Sequence, residues 1–349
     1  MEGFDPEEYY KRQTVLHELG YEGQEKLKKS KVAVIGLGGL GSAATQYLAL
    51  AGVGCLRLVD QDTVELRNLH RQTLYSLDDL RFPKAEAAFK RIKQINPEVS
   101  VEAIPESVRE TNIKEILDGV DCVVDGLDNM RTRYLLNRIC TENRIPYVYA
   151  SAVGIEGYIS VFSPPETPCL MCIFPNLDDR KLLTCETRGV LGATTGIIGS
   201  MEAMETIKLL AGIGNTLKNI LQICDFYDMY IAKIEISRDP QCPICTESKT
   251  KDGAATQRLV WLCGQNTVNI NPRHPLELSV DDVYSYLSEH FKVLLKTAFV
   301  VVFKHKDAEI SLFKGGRTLI KNVKSKKQAL EIYKGIMKHL GTNIHQASA

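Results

Sequence analysis

What the 349-residue chain lacks narrows its class first. No apolar stretch reaches the roughly 20 residues that a membrane span needs. The N-terminus, MEGFDPEEYYKRQ, is acidic and carries no apolar signal core, so a cytoplasmic protein without a membrane partner is expected. Net charge is missing as well. The 43 Lys and Arg balance the 43 Asp and Glu, so no global field draws nucleic acid or an anionic membrane. Nucleic acid is therefore not an expected partner, and any basic site must be local. Ten cysteines are too few for a secreted disulfide scaffold of this length; in a reducing compartment they act as ligands, nucleophiles or core fillers. Internal repeats and low-complexity segments are absent.

What is present is organised around Lys31 to Asp62, KVAVIGLGGLGSAATQYLALAGVGCLRLVDQD. An apolar run, Val32 to Ile35, enters a turn with Gly36, Gly38, Gly39 and Gly41, and an Ala-rich helical pattern leaves it. A second apolar run, Cys55 to Val59, ends on Asp60. Glycines here permit a tight turn, keep β-carbons away from a phosphate and aim N–H groups of a helix start at negative charge. Gly36, Gly38 and Gly41 satisfy G-x-G-x-x-G, and Asp60 stands where an acid holds a ribose hydroxyl. A tight turn in an unrelated α/β protein is the plainer alternative.

Polar chemistry follows at Asp62, Asn68, Arg71, Gln72 and Lys84. The helix expected from Lys84 to Ile95 opens on a cation at its unfavourable end, so Lys84 has another reason to be there. A polyphosphate between Arg71, Lys84 and the glycine turn supplies one, and two such contacts beyond the turn suit the triphosphate of ATP better than the pyrophosphate of NAD. Scattered loop charges are the competing account. Asp128 and Asn129 stand just past a strand expected at Cys122 to Asp125, where open α/β sheets place ligand groups. Asp128 is assigned to the Mg2+ that accompanies ATP, and Asp125 to capping the helix near Met130.

Two C-x-x-C pairs, Cys169 with Cys172 and Cys242 with Cys245, lie beside prolines and together make the donor set of a structural Zn2+ site. Cys185 stands apart from both, among Thr184, Glu186, Thr187 and Arg188. Arg188 favours a thiolate there, so nucleophile and core filler are both open. Cys55, Cys122, Cys140, Cys224 and Cys263 sit in apolar patterns and read as core. Residues 5–29 read as helical with a break at Gly20, and Arg12 on its own reads as a solvated helix residue. The expected fold is α/β, a Rossmann-like doubly wound sheet with a zinc-knuckle region and a small C-terminal α+β domain. Residues 1–246 form an ATP-binding domain, 247–257 a polar linker, and 258–349 a partner-binding module. That module reads as a strand, a helix from Val280 to Leu287, three or four strands between Phe291 and Ile320, and a last helix from Lys326 to His339.

The glycine turn, Asp60, RNLHRQ, FPKAE, LDN, both C-x-x-C pairs and CETRGVLGATTGIIGSMEAMETIK together resemble the ThiF/MoeB-type adenylyltransferases. These are relatives of the ubiquitin-like-protein activating enzymes, and the resemblance spans residues 9–246. It implies ATP-dependent adenylation of the C-terminal carboxylate of a small ubiquitin-like β-grasp protein ending in Gly-Gly, with release of pyrophosphate. Transfer to a thiol, a sulfur donor or a downstream carrier protein would follow. It further implies that Gly39 and its neighbours line the nucleotide and Asp60 binds the ribose. Asn68, Arg71 and Lys84 would hold the phosphates, and Asp128 Mg2+. Arg12 would reach into the partner subunit's site of a homodimer, and Cys185 would take the acyl group, as in some members. Residues 258–349 resemble, in outline, ubiquitin-fold appendages. A nicotinamide-dependent dehydrogenase with structural zinc explains the glycine turn, Asp60 and the cysteines but leaves Arg71, Lys84 and Asp128 unexplained. A non-catalytic nucleotide-binding scaffold would not retain the phosphate-binding set together with Cys185.

Overall fold

The structure is a computed structural model that describes residues 3–180, 187–245, 259–262, 266–270, 272, 276, 278–297, 300–314 and 316–340. The chain divides into two compact units, Met1–Leu80 with Lys84–Asp252, and Arg81–Pro83 with Gly253–Ala349.

The first unit opens with α1 (Pro6–Thr14), capped by Asp5 with Pro6 just inside, and α2 (Gly20–Lys29). The helical stretch expected over 5–29 therefore pauses between Thr14 and Gly20. Next come β1 (Lys31–Ile35), α3 (Gly39–Leu50), β2 (Cys55–Val59), α4 (Lys84–Ile95), β3 (Ser100–Ile104), α5 (Ile113–Ile116), β4 (Cys122–Asp125) and α6 (Met130–Asn143). The unit continues through β5 (Tyr147–Val153), β6 (Glu156–Phe162), α7 (Leu170–Ile173), α8 (Gly192–Ala211), β7 (Ile220–Asp225) and β8 (Tyr230–Glu235). The strands form one sheet in the order β3-β2-β1-β4-β5-β6-β7-β8. The first five are parallel and the last three antiparallel.

Parallel strands covered on both faces read as unbroken apolar runs, and every residue of β4 is buried, as are all but the first of β1. One face packs on α5 and α6 through Ile113, Ile116, Leu136, Tyr147 and Phe162. On the other, α8 lies against α3 at a separation that only small residues allow: a β-carbon on Gly199 would stand 2.4 Å from the Leu40 carbonyl oxygen. From β1 the chain runs outward to β2 and β3, then returns to β4 on β1's other side. That reversal opens a crevice at the carboxyl ends of β1 and β4, where sheets of this kind hold ligands.

The second unit contains β9 (Leu259–Leu262), β10 (Thr267–Ile270), α9 (Val280–His290), β11 (Lys292–Lys296), β12 (Val300–His305), β13 (Ala308–Phe313), β14 (Thr318–Lys321) and α10 (Lys326–His339). Its sheet runs β11-β12-β13-β14-β10-β9 with every pairing antiparallel. Both helices cover one face, where Val301, Phe303, Ile310 and Ile320 meet Leu287, Tyr333 and Met337. Two expectations are corrected here. The sheet gains β10, a four-residue strand buried at every position and so without the alternation that marks a half-exposed strand. The wholly antiparallel pairing also departs from the mixed sheet of a ubiquitin fold. The linker expected at 247–257 lies outside the described residues.

Candidate active site

The glycines of the β1–α3 turn have different tasks. Gly36 adopts φ +90°, and a β-carbon there would stand 2.6 Å from the Gly126 carbonyl oxygen. On Gly41 it would stand 1.9 Å from the carbonyl oxygen of Gly36, and on Gly39 2.8 Å from Thr195 Oγ1 of α8. The fold itself needs these three. Gly38, the N-cap residue of α3, is different: its φ is −74°, and a β-carbon would have only Gly126 O at 3.8 Å and Gln72 Nε2 at 4.0 Å as neighbours. Alanine fits there as the chain stands, so the glycine serves whatever approaches the turn from outside. Gln72 lies beside it, buried, with its Oε1 lacking any hydrogen-bond partner. An open cradle at a helix start next to an orphaned buried amide oxygen fits a nucleotide.

Beneath the turn, the Asp60 carboxylate accepts hydrogen bonds from the N–H of Leu37 (2.7 Å) and the N–H of Asp62 (2.7 Å), and the Tyr75 hydroxyl donates to the Leu37 carbonyl (3.0 Å). Asp60 thus holds the turn in shape in addition to its expected ribose contact. Lys84 opens α4 as expected but turns inward: its Nζ is 3.1 Å from Asp62 and 3.9 Å from Asp60, and its side chain is 6% exposed. Burial alone would lower the ammonium's pKa. The charges of Asp60, Asp62 and Asp128 outweigh that, so Lys84 stays protonated and carries a fixed positive charge into the crevice. Burial in turn pushes the Asp60 carboxyl above its ordinary range, against the pull of Lys84.

Asn68 is buried in the short turn Leu66–Asn68, where its Oδ1 accepts from the Glu65 N–H (3.1 Å). Arg71, half-buried in the same loop, uses Nη1 for the Arg67 carbonyl (2.9 Å) and for His70 Nε2 (2.8 Å). This loop packs at the start of α8, since a β-carbon on Gly192 would stand 2.4 Å from the His70 carbonyl oxygen.

The β4–α6 turn forms the other wall, and here the expectation for Asp125 is corrected. The helix is capped by Asn129, whose Oδ1 accepts from the Thr132 N–H (3.0 Å), and by Asp179, which accepts from the N–H groups of Met130 (2.6 Å) and Arg131 (3.2 Å). Asp125 is fully buried and pairs with Arg133 Nε (2.9 Å), the Tyr147 hydroxyl and the Leu127 N–H (2.9 Å). Arg133 Nη2 donates in turn to the Leu127 and Ala150 carbonyls, both at 2.7 Å. Leu127 is thereby fixed at both its N–H and its C=O, and Asp128 follows it, exposed, touched by Asn129 Nδ2 at 3.2 Å. An exposed carboxylate near the Lys84 charge is of the kind that suits Mg2+, which takes one or two protein carboxylates and completes its shell with phosphate and water. Sequence reasoning passed over Arg133, Tyr75 and Asp179; each acts through a contact distant in sequence and leaves no local signal.

Away from the crevice, the sulfurs of Cys169, Cys172, Cys242 and Cys245 lie within 4.8 Å of one another. Individual separations are 3.9 Å for Cys169–Cys172, 3.6 Å for Cys169–Cys242 and 3.4 Å for Cys172–Cys245. Four thiolates each about 2.3 Å from one ion are mutually separated by roughly 3.8 Å, so the cluster fits tetrahedral Zn2+. Cys122, Cys140 and Cys224 are buried as expected, while Cys55 is half-buried against Glu102 (3.6 Å).

The sequence profile of the ThiF family matches residues 10–244. The chain belongs to the ThiF family. The SAMP-activating enzyme E1 of Haloferax volcanii is 41% identical over 239 residues, spanning 68% of this chain and 88% of that protein. The sulfur carrier protein adenylyltransferase of Thermus thermophilus is 40% identical over 248 residues, 69% of this chain and 92% of its own. Among solved structures, E. coli MccB with succinimide is 25% identical and superposes with a TM-score of 0.61, over 69% of this chain and 76% of that one. The family match ends ahead of Gly253–Ala349, the main segment of the second unit.

Within this ThiF-family chain the fold brings Gly38 beside Gln72 and groups Lys84 with Asp60, Asp62 and Asp128, while Asn68 and Arg71 lie in the loop that leads into Gln72 and bond to its own residues. Arg12 is not among them. It is exposed in the last turn of α1, beside Gln13, which donates to the Ala51 carbonyl at the far end of α3 (2.8 Å). Cys185 lies outside the described residues. Arg188, expected to favour its thiolate, pairs with Glu156 of β6 at 2.5 Å.

Proposed function

We propose that this chain is an ATP-dependent adenylyltransferase acting on the C-terminal glycine carboxylate of a small ubiquitin-like or sulfur-carrier protein. The observation that carries the reading is the pairing of an open, ligand-facing glycine at residue 38 with a protonated, buried Lys84 in the switch-point crevice. The names of the two curated relatives point the same way. In the reaction, an oxygen of the carrier's terminal carboxylate bonds to the α-phosphorus of ATP. The bond from that phosphorus to the bridging oxygen breaks, and pyrophosphate leaves with the electron pair. A thiol or sulfur nucleophile then attacks the acyl carbon and displaces AMP.

Lys84 and Arg71 offset charge that grows on the phosphates, and Asn68 and Gln72 orient them. Asp60 takes the ribose on the outer side of its carboxylate. Asp128 would hold Mg2+, which would supply positive charge against the departing pyrophosphate. Cys169, Cys172, Cys242 and Cys245 would hold Zn2+, which would tie the Pro168–Ile173 segment to the chain leaving β8 as a structural ion. Cys185 accepts the acyl group after adenylation, and the second unit recruits a sulfur donor or downstream carrier. A homodimer is supported by apolar side chains left exposed on α3 and α8, Tyr47, Leu50, Ile197 and Met204. No described helix is long and apolar enough to cross a membrane, in keeping with a cytoplasmic enzyme.

The test is ATP–pyrophosphate exchange by purified protein with carriers ending in Gly-Gly, repeated with Cys185→Ala. Exchange that requires a carrier and survives the substitution is the expected result. No exchange with any carrier would replace this reading by the non-catalytic scaffold, or, if NADH binds tightly, by the dehydrogenase.

A further inference from the structure

The net charge of zero divides unevenly. Residues 253–349 hold 14 Lys and Arg against 7 Asp and Glu, whereas residues 1–252 hold 29 against 36. A partner meeting the second unit responds to charge within about one Debye length, ~8–10 Å, not to the sum over the chain.

The basic excess has a definite place. α10 turns Ala329, Tyr333, Ile336 and Met337 into the core and leaves Lys326, Lys327, Lys334 and Lys338 exposed, with Lys324 just ahead of its Ser325 cap. At 3.6 residues per turn, Lys327, Lys334 and Lys338 fall on one stripe roughly 16 Å long, interrupted by a single acid, Glu331. None of these five lysines forms an ion pair among the described residues; the second unit's pairs there involve Lys296 with Asp281, and Glu309 with Lys321 and Arg81. The stripe also runs against local preference. α9 follows its Ser279 cap with Asp281 and Asp282, the charge a helix start favours, whereas α10 follows its cap with Lys326 and Lys327. On the sheet, Lys292 and Lys304 stand directly opposite each other, both exposed, a like-charge pairing that folding alone disfavours.

We infer that the α10 face of the second unit is a nucleic-acid docking surface that grips the phosphate backbone of a duplex, apart from the face on which the unit recruits a sulfur donor or downstream carrier. A membrane is disfavoured because the apolar side of α10 is consumed by the core and cannot enter lipid. A protein partner on this stripe is disfavoured because it is built from lysine, which protein interfaces deplete, without the Arg, Tyr or Trp anchors they enrich. A single strand would call for exposed aromatic platforms, and α10's described tyrosine, Tyr333, is buried. Contacts limited to phosphate bind without regard to sequence.

The experiment is fluorescence anisotropy of a labelled double-stranded RNA with the full chain across a salt series. It compares wild type, K327E/K334E/K338E, and a control reversing Lys28, Lys29 and Lys114 on the first unit. Wild type is expected to bind with affinity that falls steeply with salt. The α10 variant should lose about tenfold or more and flatten the log–log salt slope by roughly 2–3, while the control changes little. Circular dichroism and carrier-dependent pyrophosphate exchange should be unchanged in the α10 variant, which separates this inference from the adenylation reading. Equal losses in both variants, wild-type affinity in the α10 variant, or binding to phosphatidylserine vesicles without binding to RNA would overturn it.

Discussion

Lys84 enters the interior paired with its counter-charges, and Glu202 enters it with no hydrogen-bond partner. The side chain of Glu202 points from α8 into the first unit with 0% exposure, and neither carboxyl oxygen has a hydrogen-bond partner. Burial, then the nearby charge of Asp125, push its carboxyl well above the ordinary range, and Arg133 only partly opposes them. The folded state therefore keeps a proton that the unfolded chain releases near pH 4.3. A group whose folded pKa is raised contributes its stability in full below the unfolded value and loses it as pH climbs toward the folded one. Glu202→Gln, which stays neutral in both states, should remove that loss. Urea unfolding should find it roughly 1–3 kcal/mol more stable than wild type near neutral pH, with the difference shrinking to nothing as pH falls through the unfolded carboxylate range. A constant difference across pH would show that Glu202 ionises normally in the fold. The small-residue pattern of GATTGIIGSMEAMETIK points to a buried helix but does not say which acids it carries inward; Glu202, Glu205 and Thr206 all face inward.

At the scale of elements, the β1–α3 turn separates what folding requires from what a ligand requires. Gly41→Ala places a β-carbon 1.9 Å from the Gly36 carbonyl oxygen, a clash with backbone that no rotamer relieves, and should cost about 2–4 kcal/mol of unfolding free energy. Gly38→Ala meets nothing closer than 3.8 Å and should unfold within about 0.5 kcal/mol of wild type, yet weaken ATP binding tenfold or more. Denaturation melts beside ATP titrations decide both; a Gly38 variant that binds ATP normally would place the nucleotide elsewhere. The G-x-G-x-x-G spacing made the turn legible, and the apolar runs made β1, β2 and β4 legible, because a sheet buried on both faces needs continuous apolar sequence. The division of labour among the glycines was not legible, since it depends on Gly126 and Thr195, which approach from remote parts of the chain. For the same reason the cap of α6 was misassigned: Asp125 looks like a capping acid until Arg133 and Tyr147 are seen to claim it.

For the molecule as a whole, Arg12 poses the sharpest question. Tyr9 and Gln13 fasten α1 to the Ile95 and Ala51 carbonyls, at the ends of α4 and α3 away from the glycine turn. The twelve residues of α3 put roughly 18 Å between those ends, more than an arginine side chain spans. Arg12 therefore has no route to its own crevice in this fold, and a role in adenylation requires a second copy. Two-fold symmetry makes that requirement reciprocal: each site would combine one chain's Arg71 with the partner's Arg12. Arg12→Ala and Arg71→Ala should each abolish pyrophosphate exchange as pure proteins. In co-expressed mixtures half the dimers carry both variants, and one of their two sites draws its Arg71 and its Arg12 from different, intact sources. About a quarter of wild-type exchange should then return. Pure Arg12→Ala protein that exchanges normally would leave Arg12 a surface residue, and mixed dimers recovered by size-exclusion chromatography without restored activity would overturn the shared site.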